Sequence, residues 1–227
     1  MGDKVKEATA VVIGSAPCGS WENLKRYPLE GAYMIAADGG RISAEQAGLS
    51  IDWYTGDGDS GGFAAGLSGE VLPVEKDVTD LEAAVQHALA NGFQRIVLWG
   101  ASGGRGDHHL ANLQLLEQIA LQGGQGLFLD SVNEVRYLDP GSVHIPNDPP
   151  YRYLGLIPLD AQLHGVSIQG TKYLLHEATV PRGSTRTVSN EILDGFEAEI
   201  TIGTGAALLV RSVPLWEKNS GSKTESI

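Results

Sequence analysis

The sequence predicts an α/β protein: an N-terminal, mostly parallel α/β sheet domain followed by a smaller all-β sandwich domain. Three observations carry this. Short, nearly uninterrupted apolar runs alternate with helix-period segments over the first 140 residues. Most of those runs stop at Gly or just before Asp-Gly. Beyond that point helical periodicity fades and short alternating strands take over. Runs that are apolar throughout belong to strands covered on both faces, as in a parallel sheet layered with helices.

Strands are expected at residues 8–13, stopping at Gly14-Ser15, and 32–36, ending at Asp38-Gly39-Gly40. Further strands are expected at 51–55, ending at Gly56, at 95–99, ending at Gly100, and at 126–129. Thr79-Asp80-Leu81-Glu82 has the capping-box form, with Thr79 as N-cap. Leu81, Ala84, Val85, Ala88 and Leu89 then recur at helical spacing until Asn91-Gly92. A second helix takes Asp107 as N-cap, with Leu110, Leu113, Leu116 and Ile119 on its apolar face, and stops at Gly123-Gly124. Asp139-Pro140-Gly141 and Asn147-Asp148-Pro149-Pro150 are turn material. Strands at 153–157, 162–168, 172–175, 197–202 and 206–211 follow. The division reads as 1–140 and 141–216, with 217–227 a flexible polar tail.

Composition excludes several classes. The chain has 227 residues, 42% hydrophobic and 19% charged, ordinary for a globular protein with a real core. A net charge of -12 argues against a nucleic-acid partner, since such binders neutralise phosphates with Lys and Arg. The single cysteine, Cys18, allows no intrachain disulfide and fits a reducing compartment. Met1 to Glu7 lacks a signal-peptide core, and no apolar run approaches the roughly 18 residues needed to span a bilayer. A cytoplasmic protein with no membrane partner is expected.

Chemistry concentrates in Gly56-Asp57-Gly58-Asp59-Ser60 and Lys76-Asp77-Val78-Thr79-Asp80. Asp38, Asp57 and Asp59 each fall where a strand has just ended, and Asp80 opens a helix. Ligands of open α/β sheets bind outside the carboxyl ends of the strands. Carboxylates gathered there repel one another unless a cation joins them. Mg²⁺ suits the role, because it takes a few carboxylates and leaves room for phosphate oxygens. The plainer reading is that Asp-Gly pairs only form turns. That account serves Asp38 alone about as well; four acids at four such positions favour the metal.

Two decoys share the segment. Gly58-Asp59-Ser60-Gly61-Gly62 spells a trypsin-like nucleophile signature, but no histidine precedes Ser60 and the surroundings are α/β. Asp57-Gly58-Asp59 resembles an aspartyl-phosphatase nucleophile, which belongs after the first strand, not the third. The second strong feature is the loop Gly100-Ala101-Ser102-Gly103-Gly104-Arg105-Gly106-Asp107-His108-His109. Its glycines expose backbone N–H groups to an anion, and Arg105 can hold phosphate oxygens in a bidentate manner. It is not a P-loop, since Gly-Lys-Ser/Thr is missing. His108 and His109 read as neutral hydrogen-bonding groups, and His87, His144, His164 and His176 as isolated surface or cap residues. Cys18 has no evident activating partner.

Asp38-Gly39-Gly40, the Gly-Asp-x-Asp-Ser at 56–60, Lys76-Asp77-x-Thr79-Asp80, and Gly103-Gly104-Arg105-x-Asp107-His108 with Asn112 together resemble the thiamine pyrophosphokinase family. Gly170-Thr171-Lys172-Tyr173 and Ser189-Asn190-Glu191 are similar to motifs of that family's C-terminal β domain. The resemblance implies transfer of the pyrophosphoryl group of ATP to thiamine, giving thiamine diphosphate and AMP. It implies Mg²⁺ on Asp57, Asp59 and Asp80, with Asp38 and Asp77 shaping the acidic cluster. It places Ser60, Lys76, Thr79 and Arg105 on ATP phosphates, Asp107 orienting Arg105 or the nucleotide, and Ser189 and Asn190 on the aminopyrimidine of thiamine. It also implies a homodimer with thiamine between the N-terminal domain of one chain and the β domain of the other. Gly58 departs from the family's usual bulky apolar residue, and Lys76 from a frequent Gln. Two alternatives stay open: another Mg²⁺-dependent phosphotransferase or hydrolase on the same site, and a non-catalytic thiamine or nucleotide sensor.

Overall fold

The computed structural model describes residues 8–17, 19–57, 68–73, 75 and 77–214. Cys18, Gly58, Asp59, Ser60 and Lys76 therefore lie outside the described residues. The chain begins with β1 (Thr9–Ile13), α1 (Glu22–Lys25), β2 (Tyr33–Ala37), α2 (Gly40–Gln46), β3 (Trp53–Gly56) and β4 (Ser68–Val71). Next come α3 (Asp80–Ala90), β5 (Arg95–Trp99), α4 (Gly106–Leu121), β6 (Gln125–Leu129) and β7 (Asn133–Leu138). The remainder is β8 (Gly141–Ile145), β9 (Tyr153–Pro158), β10 (Gln162–Gln169), β11 (Leu175–Pro181), β12 (Asn190–Glu191), β13 (Ala198–Ile202) and β14 (Ala207–Ser212).

Ten strands form one sheet in the order β12-β9-β14-β7-β6-β5-β1-β2-β3-β4. From β4 to β6 all neighbours are parallel; from β6 through β7, β14 and β9 to β12 they are antiparallel. A second, antiparallel sheet runs β11-β10-β13-β8. It packs on the antiparallel end of the large sheet through Leu154, Leu156, Val166, Ile168, Ile200 and Leu209, all buried. The α/β-then-β fold class is borne out. One layer of the sandwich, however, is an extension of the N-terminal sheet rather than a sheet of its own. The ladder passes through residue 140 unbroken, because β14 pairs with β7 on one side and β9 on the other.

Helices cover both faces of the parallel half. Leu81, Ala84, Val85 and Ala88 of α3 and Leu115, Leu116 and Ile119 of α4 pack on Ala10, Val12, Ile96, Leu98 and Phe128. On the other face Leu24 and Ala44 meet Val11, Ile13, Val97 and Trp99. Three details depart from expectation. The apolar face of α4 is set by Asn112, Leu115, Leu116 and Ile119, which leaves Leu110 62% exposed. No strand begins at Lys172; residues 170–173 turn, and β11 starts at Leu175. His87 is not isolated, since its ring stacks on Trp53 at 3.6 Å between centroids.

The least predictable strand is β7, which carries a buried charge. Glu134 lies opposite Arg211 in the β7–β14 register, and their side chains are 2% and 6% exposed. Glu134 is also bonded to Arg136 at 2.9 Å and accepts from the Tyr27 hydroxyl. Burial, followed by the Glu134 charge, pushes the Tyr27 hydroxyl far above its ordinary value. Arg211 in turn sits 4.5 Å from the centre of the Tyr151 ring. Two predictions follow from this packing. Arg211→Met, which removes one of the two arginines on Glu134 and leaves Arg136 in place, should lower the unfolding free energy by about 1–3 kcal/mol in urea titrations. Burial against Trp53 lowers the His87 pKa, with Glu70 opposing it. The unfolded chain therefore takes up a proton that the fold resists, so stability should decline as pH falls below about 6.5. His87→Phe should flatten that decline in pH-dependent melting curves.

Candidate active site

Four parallel strands deliver their carboxyl ends to one rim. Ile13 is level with Ala36 and Trp99, and Ala37 with Thr55, so Gly14, Asp38, Asp57 and Gly100 follow at similar height. There a cavity of about 490 Å³ is lined by Gly14 to Pro17, Asp38, Asp57, Val78 to Leu81, Gly100, Ala101, Gly103 to Arg105, His108 and Asn112. Of the residues the sequence singles out, Asp38, Asp57, Thr79, Asp80 and Arg105 meet in this space. Asp77, Asp107, Ser189 and Asn190 are not among its lining residues, and Asp59, Ser60 and Lys76 lie outside the described residues. The turn after β1 was missed as a wall of the site, although Gly14-Ser15 marked where that strand stops.

Asp38 occupies the left-handed region, with φ 50, where Asp is one of the few side chains tolerated. Its N–H donates to the Thr55 carbonyl at 2.8 Å, which ties the β2 end to β3. Its Oδ1 is buried and has no hydrogen-bond partner among the described residues. The hydroxyl of Tyr54, itself 2% exposed, registers the surrounding charge. Burial raises its pKa first, and Asp38, Asp80 and Asp57 raise it further, in that order. These carboxylates thus converge on one neighbourhood. Among the described residues no three His, Cys, Asp or Glu side chains form a ready-made metal cage. An orphan Asp38 oxygen beside two further carboxylates nevertheless fits a hard cation that keeps most of its coordination for water and phosphate.

Across the cavity, α3 and α4 point their N-termini at the same space. Thr79 caps α3 by accepting from the Glu82 N–H at 3.2 Å, and its own O–H can still donate to a ligand. The helix α4 starts two residues earlier than expected. Arg105 holds the N-cap position without a side-chain capping bond, and Asp107 lies in the first turn. Asp107 accepts from the His108 N–H at 2.9 Å and from Arg105 at 2.7 and 3.2 Å. The hydrogen bonds of this pair raise the Arg105 pKa and lower that of Asp107. The Gly-rich loop is anchored beneath by Asn112 donating to the Ala101 carbonyl at 3.0 Å and by Ser102 donating to Asp130 at 2.8 Å.

Ser189 and Asn190 sit on the β-rich part. Ser189 is exposed and adopts φ 57, whereas Asn190 is 4% exposed and hydrogen-bonded to Thr171, Tyr173 and Glu191.

Comparison with known proteins agrees with this geometry. Residues 24–127 match the family model described as thiamin pyrophosphokinase, catalytic domain. Residues 142–207 match thiamin pyrophosphokinase, vitamin B1 binding domain. The thiamine pyrophosphokinase of Bacillus subtilis (strain 168) is 29% identical over 211 residues, covering 90% of this chain and 98% of that protein. The crystal structure of thiamine pyrophosphokinase from Bacillus subtilis aligns with a TM-score of 0.84 at 29% identity, over 91% of this chain and 100% of that chain. That of Geobacillus thermodenitrificans aligns at 0.80 and 28% identity, over 91% and 98%. For the helix that walls the cavity, Thr79→Ala should cost about 1 kcal/mol of stability and Thr79→Ser much less, read from urea midpoints.

Proposed function

Because the chain belongs to the thiamine pyrophosphokinase family, we propose that the cavity at the strand ends is where it binds the phosphates of ATP and passes a pyrophosphoryl group to thiamine. The observation that carries this reading is the meeting of Asp38, Asp57 and Asp80 with Arg105, Thr79 and the Gly-rich loop in one space. Carboxylates and anion-binding groups facing one space suit a cation and a phosphate bound side by side.

In this reading Asp57 and Asp80, with Asp59 from outside the described residues, hold Mg²⁺, and Asp38 and Asp77 complete the acidic surroundings. When bound, the ion neutralises phosphate charge. The chain's own groups do the positioning. Arg105, paired with Asp107, donates to phosphate oxygens, and Thr79 adds a donor on the same side; Ser60 and Lys76, outside the described residues, are assigned to the same phosphates. The helix N-termini at Asp80 and Gly106 favour the same negative charge. The hydroxyethyl oxygen of thiamine attacks the β-phosphorus. The bond from that phosphorus to the oxygen bridging to the α-phosphate breaks, and AMP leaves with both bonding electrons. The acceptor's proton passes to a carboxylate of the cluster or to water. Such transfer requires alignment and charge stabilisation rather than a covalent protein nucleophile.

The Ser189-Asn190 segment is assigned to thiamine, whose cationic ring suits an acidic site. Tyr173, Leu174, Leu193 and Phe196 are 57%, 66%, 43% and 60% exposed in the same β-rich region. Such an apolar surface supports the homodimer that the family resemblance implies. The single cysteine suits a cytoplasmic site of action. No described helix is long and apolar enough to cross a membrane.

The test is product analysis with ATP and Mg²⁺. AMP and thiamine diphosphate should appear in equal amounts, and only when thiamine is present. Phosphate release without thiamine would mark a hydrolase, and thiamine binding without AMP a sensor. Asp57→Asn should lower kcat roughly 10²–10³-fold with an unchanged melting temperature.

A further inference from the structure

Every hydrogen-bonding position on the Asn190 amide is filled from within the chain. Nδ2 donates to Thr171 Oγ1 at 3.0 Å and to the Tyr173 carbonyl at 2.8 Å. Oδ1 accepts from the Tyr173 N–H at 2.9 Å and from the Glu191 N–H at 3.0 Å. A carboxamide has two donor hydrogens and two acceptor lone pairs, so four bonds saturate it. Thr171, 1% exposed, closes the ring by donating to the Tyr173 carbonyl at 3.2 Å.

Backbone bonds carry the same join outward. Lys172 N–H donates to the Glu191 carbonyl at 2.9 Å, and Leu193 N–H to the Gly170 carbonyl at 3.0 Å. The Glu191 carboxylate is held by Arg152 at 2.9 Å and Lys172 at 3.3 Å. Gly170 makes the turn possible, since at φ +71 a Cβ there would lie 1.9 Å from the Glu197 carbonyl oxygen. The join leaves Ser189 exposed and in the left-handed region, beside Val188, which is 37% exposed, while Tyr173 stands out from the paired turn. A serine keeps that conformation only where its surroundings dictate it.

We infer that Asn190 is a positioning residue that makes no contact with thiamine: it locks the 170–173 turn to the 189–193 segment and so fixes Ser189 and Tyr173 as the surface thiamine meets. This rests on the family reading for the substrate, whereas the brace itself stands on the hydrogen bonds. A direct contact would require Asn190 to surrender a bond made in the free protein.

Thr171→Val separates the two roles, because it is isosteric and its side chain, 1% exposed, is closed to a ligand. Steady-state kinetics should show Asn190→Ala raising KM for thiamine roughly tenfold and Thr171→Val roughly threefold, with kcat and KM for ATP within about twofold of wild type. Amide hydrogen exchange without substrate should be at least about tenfold faster at Tyr173 in both variants. A raised KM in Asn190→Ala with wild-type kinetics in Thr171→Val would make Asn190 a direct contact and overturn the inference. Lower melting temperatures with unchanged KM would overturn it as well, leaving a purely structural bond. Unchanged exchange at Tyr173 would remove the brace. If Asn190→Ala does not fold, Thr171→Val alone decides. A wild-type protein making no AMP with thiamine would sink the family reading and the substrate part with it. Exchange at Tyr173 would then still judge the brace, so the two failures are distinguishable.

Discussion

Crowding where β1, β2, β3 and β5 end together shapes the whole site. A Cβ at Gly14 would stand 2.5 Å from the Gly100 carbonyl oxygen, and one at Gly40 would stand 2.0 Å from that of Ile13. A Cβ at Gly56 would meet the Tyr54 hydroxyl at 2.5 Å. Gly14 and Gly40 are where they are because backbone must pass backbone without a side chain between, and Gly56 leaves room for the Tyr54 hydroxyl. The closeness strips the rim down to main chain, on which Asp38, Asp57, Thr79, Asp80 and Arg105 are the projecting groups. A looser sheet would splay those groups, and electrostatic preorganisation would be lost before any one residue changed.

Much of this was legible in the sequence, and the reasons are local. The strand at Arg95–Trp99 was expected with its observed limits, because an apolar run closed by Gly has few alternatives. Thr79 and Glu82 announced α3 because a capping box is a short-range bond. What the sequence hid depends on contacts distant along the chain. No strand was read at β7, where Glu134 and Arg136 interrupt the apolar pattern and the charge of Glu134 is met by Tyr27 and Arg211 from far along the chain. Leu110 looked like core, yet the orientation of α4 is set by Asn112 reaching the Ala101 carbonyl and by where β6 lies. The short β4 has four exposed residues and offered no hydrophobic pattern to read.

The acidity of the chain and its anionic co-substrate are reconciled by geometry. Arg105 and Asp107 are 73% and 64% exposed, so water and salt screen their attraction. A phosphate can take over the guanidinium without breaking a buried contact. The pair holds Arg105 at the mouth of the cavity through an exposed contact, and the overall negative charge disfavours polyanions that carry no metal.

The insertion of β14 between β7 and β9 also governs how the chain can be made. A nascent chain that has emerged through β9 holds two strands of the large sheet with a vacant lane between them. The segment that fills it, Ala207–Ser212, is the last of the described strands to be synthesised. Until then β7 and β9 present open edges, the feature most prone to pairing with another molecule. Completion of the sheet is thus deferred until residues 207–212 have been synthesised. A ribosome that stalls, or a message cut short before residue 207, yields an aggregation-prone fragment rather than a smaller enzyme.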